Sequence, residues 1–247
     1  MTATRRAVDT LVLVIVMLAI WEVLHRMAGS TALPDPVTTM SYFLHLVPSP
    51  RFAANAAATL LAFSIALVLA YAIGLAIGVW MGAHRLSGLV GEPILVAIYS
   101  LPKITLYPVV LLIFGLGISG KVAFGAMHGI LPVALLTMGA IRAIPPVYLR
   151  SARTLHLSPW QTIATVLLPA VLPEVFTGLR IGFTVTLLGV LLGEMFASKL
   201  GLGAMIMNAM SLAQSEEMMT VAIVLFTFAA IANGVLLWIE HRLHRRV

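Results

Sequence analysis

The 247-residue chain has no cysteine, so disulfides are excluded and the redox compartment is not encoded. It is also poor in charge. Only 10% of its residues are Asp, Glu, Lys or Arg, where a soluble domain carries about a quarter. Hydrophobic residues make up 61% of the chain and the mean hydropathy is +1.06. Such a chain is an integral membrane protein. Its net charge of +6 does not make it a nucleic-acid binder. The basic residues form no groove-sized face. They sit between apolar runs and at the ends, which is the pattern of membrane orientation.

Catalytic signatures are missing as well. There is no H-E-x-x-H, no Cys/His ligand cluster and no G-x-S-x-G, and the seven histidines are scattered. The chain is therefore expected to be no enzyme, with no metal site and no cofactor of its own. His128 falls inside an apolar run, where a lone histidine is more often a helix–helix hydrogen-bond partner than a ligand. Gly115 to Val122, "GLGISGKV", fits G-x-G-x-x-G and most of a P-loop. A P-loop needs Ser or Thr after Lys121, however, and both motifs need a preceding strand. The match is coincidental, and any ATPase is another chain.

Six stretches are long and apolar enough to span a bilayer, at about 8–28, 55–80, 90–115, 122–142, 173–197 and 218–240. No cleavage site follows the first, so it reads as an uncleaved span. With the N-terminus in the cytoplasm, nine basic residues face inside (Arg5, Arg6, Arg85, Arg142, Arg150, Arg153, Arg242, Arg245 and Arg246). Four, Arg26, Arg51, Lys121 and Lys199, face outside. Both termini are then cytoplasmic. Residues 29–54 form an external loop with a short helix expected around Val37–Leu46, and residues 143–172 form a cytoplasmic loop. The whole of 1–247 reads as one transmembrane domain. Gly74, Gly78 and Gly82 share a helical face, as do Gly178 and Gly182, which predicts close packing of helices within one subunit.

Ionisable residues inside spans face a cavity or a partner. Lys103, in "YSLPKITLYP", lies about 20 Å into the third span. Pro102 and Pro108 break the helix around it and free carbonyls. Ser100, Lys103, Thr105 and Tyr107, with Glu194 and Met195 of the fifth span, are the candidate lining of a solute path. An ion pair of Lys103 with Glu194 or Glu92 that only holds helices together is an equal alternative. Arg180 is expected to snorkel to the cytoplasmic surface.

The cytoplasmic loop is more structured than a connector requires. Pro145-Pro146 ends the fourth span. A short amphipathic helix follows, with Tyr148, Ala152 and Leu155 on one face and Arg150 and Arg153 on another. Ser158, Pro159 and Gln161 then form a capping box. The next helix runs to about Leu168, with Trp160, Ile163, Ala164 and Leu167 as an apolar stripe facing the membrane domain. Pro169 is expected to interrupt it and Pro173 to begin the fifth span.

This loop resembles the "EAA" loop of bacterial ATP-binding-cassette (ABC) importer permeases, whose pattern is Glu-Ala-Ala, three residues, Gly, nine residues, Ile-x-Leu-Pro. Here Arg150-Ser151-Ala152, His156 and Val166-Leu167-Leu168-Pro169 stand at those positions with the same spacing. "GEMFASKLGLGAMI" and "LPKITLYPVVLLIFGLGISGKVAFGAMHG" are similar to the nitrate/sulfonate/taurine-type permeases. The resemblance covers about residues 30 to 245.

It implies an all-α, six-span type I importer permease in the bacterial inner membrane. Two permease copies, as a homodimer, would form the pore. Two cytoplasmic ATPase subunits would bind ATP and Mg, and an external binding protein would deliver a small anionic or polar solute. The coupling helix would comprise Tyr148, Arg150, Ser151, Ala152, Arg153, Thr154, Leu155, His156 and Leu157. Arg150 stands where the pattern has glutamate, and His156 where it has a glycine that permits positive φ; histidine tolerates that region better than most residues. The alternative is a secondary transporter or channel driven by an ion gradient through Lys103 and Glu194.

Overall fold

The computed structural model describes residues 3–29 and 33–244. These are helical, with no strand among them. In chain order the helices are α1 (Ala3–Ala28), α2 (Pro36–Leu46), α3 (Pro50–Ala83), α4 (Arg85–Ser100), α5 (Tyr107–Phe114) and α6 (Ile118–Arg142). Then come α7 (Pro146–Thr154), α8 (Pro159–Thr162), α9 (Leu168–Ala197), α10 (Leu202–Ser211) and α11 (Ser215–His244). Among the described residues, four helical stretches are long and apolar enough to cross a membrane. They are 50–83, 118–142, 159–196 and 215–243. A fifth arises if the bent pair 85–100 and 103–114 counts as one span.

Local chemistry sets the boundaries. The expected external helix is α2, whose first turn is capped by Asp35 accepting from the Val37 and Thr38 amides at 2.9 Å. Hydrogen bonds from Thr38, side chain first and then backbone, hold the Asp35 carboxyl below its ordinary range. That contribution is present above the unfolded carboxylate's range and lost as pH falls through the lowered one. The helix that carries the second expected span begins at Pro50, where Ser49 caps the Phe52 amide at 3.1 Å and Pro50 suits the first turn.

The third span is not one rod. Its two halves meet at 86°. Leu101, preceding a proline, is extended (φ −67°, ψ 140°), and a 3-10 turn, Lys103–Leu106, starts α5.

Pro169 was expected to break the chain before the fifth span, and it does not. Helix runs from Pro159 to Phe196 through a π turn at Ile163–Leu167, closed by the Leu168 amide on the Ile163 carbonyl. Widening the turn just before Pro169 accommodates a residue that has no N–H to donate. The stripe at Trp160, Ile163 and Ala164 does not pack on its own chain either. All three are exposed, Trp160 at 76%.

α6 is the central helix, held between α3 and α9. Gly74, Gly78 and Gly82 lie against Val133, Thr137 and Ile141 of α6, as the four-residue spacing predicts. On the other side, α9 lays Gly182 on Val133 and Gly178 on Leu136. The gap is tightest at Gly129 of α6. A methyl group there would overlap the Thr186 hydroxyl and stand 2.8 Å from Ala70 Cβ. Phe63 of α3 meets Phe183 of α9 edge to face at 4.9 Å, over a core of Ala62, Ala66, Val122, Ala126, Leu187 and Val190. We predict that Gly129→Val pries α3 and α9 apart and lowers stability by about 1–3 kcal/mol, as overpacking does. Thermal unfolding in detergent, followed by helical circular dichroism, checks this; an unchanged midpoint would contradict the packing.

Candidate functional site

The motif-bearing loop between α6 and α9 folds as a helix, a left-handed corner and a second cap. α7 is amphipathic. Ala152 is 2% exposed, while Arg150, Arg153 and Leu155 are exposed. So Ala152 is buried as its face requires, while Leu155 on that face is 70% exposed. His156 adopts φ +51°. Its amide donates to the Arg153 carbonyl, and the Leu157 amide reaches back to Ala152, both at 3.0 Å. These two bonds form a Schellman motif with histidine in the place usually taken by glycine. Two residues on, Ser158 and Gln161 make the reciprocal capping box. Tyr148 lines a cleft of about 360 Å³ with Ile144, Pro145, Pro173 and Glu174. α7 is therefore a short stiff element, closed at its C-terminal end, carrying exposed cations and apolar side chains.

The proposed path residues separate into two groups. Ser100, Lys103 and Thr105 lie together at the bend between α4 and α5, with Ser100 and Thr105 exposed. The Lys103 ammonium donates to the Tyr99 carbonyl at 3.0 Å and lies 4.5 Å over the Tyr99 ring. Neither suggested carboxylate is its partner: Glu92 pairs with Arg142, and Glu194 with Lys121. Tyr107 is buried. Its hydroxyl donates to the Gly193 carbonyl at 2.6 Å, and its ring packs on Phe124. That bond fastens α5 to α9. Met195 is half-buried, and Glu194 has no exposure, so it does not line an open path here.

Glu194 instead centres a buried polar network. Lys121 approaches its Oε1 at 3.2 Å, and Thr59 donates to its Oε2 at 2.8 Å. The Gly203 amide adds a third bond at 3.1 Å. Lys121, 7% exposed, also donates to Ser198 Oγ and the Leu200 carbonyl. Thr59 accepts from the Leu202 amide, and Asn55 from the Gly201 amide, both at 2.8 Å. A side chain at Gly201 would collide with the carboxylate, and its φ of +133° suits glycine alone. The network thus ties α3, α6 and α9 to the segment 198–203.

Lys121, expected on the external side, is buried in the protein and paired with Glu194. A charge in the first turn of the most enclosed helix is pulled inward when a carboxylate at the same depth answers it. That matching depth, at the start of one span and the end of the next, was the readable signal.

Other ion pairs sit at the helix ends. Arg180 pairs with Glu240 and reaches Asn233 on α11, so its charge is answered across helices instead of snorkelling. Arg51 makes a two-pronged bond to Glu217, which also accepts from Tyr42, joining α2, α3 and α11. His128 bonds its own helix, Nδ1 to the Phe124 carbonyl, and not a neighbour. Gly115 (φ +80°) and Gly117 are turn residues between α5 and α6, and no strand precedes them, so a phosphate-binding loop is not formed.

The chain is an all-α membrane bundle with a broken helix pair and a capped amphipathic loop. Solved structures share the fold. The chain is similar to the MetNI methionine ABC transporter in its inward-facing conformations (TM-score 0.65, 20% identity, 83% of this chain and 97% of that one). It is also similar to an amino acid ABC transporter with histidines (TM-score 0.61, 18% identity, 86% and 99%).

The chain belongs to the binding-protein-dependent transport system inner membrane component family, whose model matches residues 70–247. Among its relatives is the putative aliphatic sulfonates transport permease of Bacillus subtilis, 27% identical over 94% of this chain and 85% of that protein. The taurine transport system permease of Escherichia coli is 26% identical over 78% and 73%. The nitrate import permease of Leptolyngbya laminosa is 25% identical over 96% and 88%. The protein is thus a multi-pass membrane permease of an ABC importer, a transport component and not a catalytic one. Its family implies ATPase and substrate-binding-protein partners. A gradient-driven carrier working through Glu194 has no support, because that carboxylate is enclosed and paired.

We predict that Lys121→Met or Glu194→Gln alone lowers stability by about 3–5 kcal/mol, since each leaves a buried charge unanswered. The double variant should cost less than either single one. A double-mutant cycle on thermal unfolding in detergent checks this; additive effects would show that the two groups do not interact.

Proposed function

We propose that this chain, as a homodimer, forms the translocation path of a type I ABC importer in the bacterial inner membrane. α7 and its corner receive the movement of two cytoplasmic ATPase subunits, which hold the ATP and Mg. An external binding protein delivers the solute. α1 acts as the first of six spans, and both termini are cytoplasmic. The observation that carries the coupling role is the geometry of residues 146–161. Stiffness is what a lever needs, and two consecutive stops supply it: a Schellman corner at His156 and a capping box at Ser158.

The docking residues are Tyr148, Arg150, Ser151, Ala152, Arg153, Thr154, Leu155, His156 and Leu157. Arg150 projects from α7 with no carboxylate within ion-pair distance among the described residues, and its partner on the ATPase is acidic. Arg150→Glu should then reduce ATPase stimulation by loaded binding protein by about tenfold or more, because like charges would face each other. Stimulation equal to wild type in a reconstituted complex would end this reading.

The solute is a small anionic or polar molecule such as a sulfonate or nitrate. Sulfonate, taurine and nitrate permeases are among the relatives, and one feature of this chain favours an anion. Lys103, at the bend of a broken span, is met by a carbonyl and a ring and by no carboxylate, so its ammonium keeps donors for a passing oxyanion. Ser100, Thr105 and Tyr107 belong to the same bend, with Met195 beside it; Glu194 acts behind the path by holding the outer segment. Uptake into proteoliposomes of nitrate, taurine and an alkanesulfonate is the test. Whichever is transported should enter at least about tenfold more slowly with Lys103→Met, while the binding protein's affinity is unchanged. Uptake as fast as wild type would remove Lys103 from the path.

A further inference from the structure

α4 and α5 are the two halves of one broken span, yet they are attached in opposite ways. α5 is fastened through its first turn. Tyr107 and Val110 are buried, and the Tyr107 hydroxyl is bonded to α9. α4 has a single buried residue, Gly88, close to its first turn. From there to Ser100 it presents exposed side chains, among them Leu89, Val90, Ile94, Val96 and Ile98.

The buried end is held by Met81 of α3, whose side chain covers Gly91, and by Arg142, the last residue of α6. Its Nη1 donates to Glu92 Oε2 at 2.5 Å. Its guanidinium also lies on the α4 backbone at Gly88, where an added methyl group would stand 2.8 Å from Nη2 and 2.5 Å from the Met81 carbonyl. Charge alone would make this a weak tie, because Glu92 is about half exposed. The bare backbone at Gly88 adds a steric seat, so the guanidinium can push as well as pull.

Arg142 is also next to α7. Only Ala143, Ile144 and Pro145 separate it from Pro146, the first residue of α7, and two prolines make that link stiff. A displacement of α7 therefore reaches Arg142 with little slack. α4 is joined to α3 through His84 at one end and broken at Leu101-Pro102 at the other, with most of its side chains between exposed, so it answers by tilting between those two points while α5 stays fixed to α9.

Resting on the reading of α7 as the ATPase contact, we infer that Arg142, seated on Gly88 and paired with Glu92, is the positioning residue that carries α7's movement to α4, and through α4 to the bend that holds Lys103. The role is mechanical. Arg142 touches no solute.

The absence of cysteine makes the test direct. Spin labels are introduced by Val147→Cys at the start of α7, Val96→Cys in α4 and Val235→Cys in α11 as the reference. Distances 147–235 and 96–235 are measured in the complete permease–ATPase complex, with labelled copies diluted by unlabelled ones. They are taken without nucleotide and with ATP trapped by vanadate. Both distances should shift on trapping in the otherwise wild-type protein. With Arg142→Met, and separately with Glu92→Ala, the 147–235 shift should persist and the 96–235 shift should fall to less than half. The exchanged pair, Arg142→Glu with Glu92→Arg, should restore it. A 96–235 shift unchanged in both single variants overturns the inference and leaves the α7 reading standing. A 147–235 distance that never moves in the wild-type background overturns both.

Discussion

A carboxylate with no access to solvent, inside a membrane helix, must be satisfied by the protein alone, and one end of this helical bundle is built around that demand. Glu194 is met by an ammonium, a hydroxyl and a backbone amide. Each of those donors is itself held. Lys121 is bound by Ser198 and Leu200, and Thr59 by the Leu202 amide. The arrangement draws three helices and one connecting segment into a single unit, because leaving any member unsatisfied in a low-dielectric interior costs more than ordering the segment. Close packing of α6 between α3 and α9 makes the network possible. It excludes lipid and water from the same region and brings both charges to the same depth.

Away from that fixed unit the chain becomes less constrained. α5 is anchored at its start, and α4 is mostly exposed beyond Gly88. The bend between them carries Lys103, which no carboxylate answers among the described residues. α7 follows α6 after a stiff diproline link. In the proposed function the ion-paired bundle is the rigid frame, the capped α7 corner receives force and α4 yields.

Much of the candidate site was legible because it depends on local chemistry. The capping box at Ser158 and Gln161, the left-handed residue at His156 and the glycine face at Gly74, Gly78 and Gly82 all follow from neighbours within a few residues. Pairings across the bundle were not legible in that way. The sequence offered Lys103 as a partner for Glu194, and only the packing of α6 against α9 selected Lys121. Arg180 looked long enough to reach the surface, but Glu240 on α11 lay closer. The stripe at Trp160 and Ile163 had the right period and nothing of its own chain to bury it. Periodicity reports that a face is apolar and does not say which body covers it.

The sequence by itself determined that this is a helical membrane protein, where side chains cap its helices, and which segment carries the permease motif. These are consequences of hydropathy, of proline's missing donor and of side chains capping their own backbone. Tertiary structure alone decided which charges neutralise one another, that the helix passes through Pro169 by way of a π turn, and that the two halves of the third span meet at 86° with only one of them anchored. Those outcomes rest on interactions between residues tens to well over a hundred positions apart, or on strain shared over a whole turn, and no window of sequence contains them.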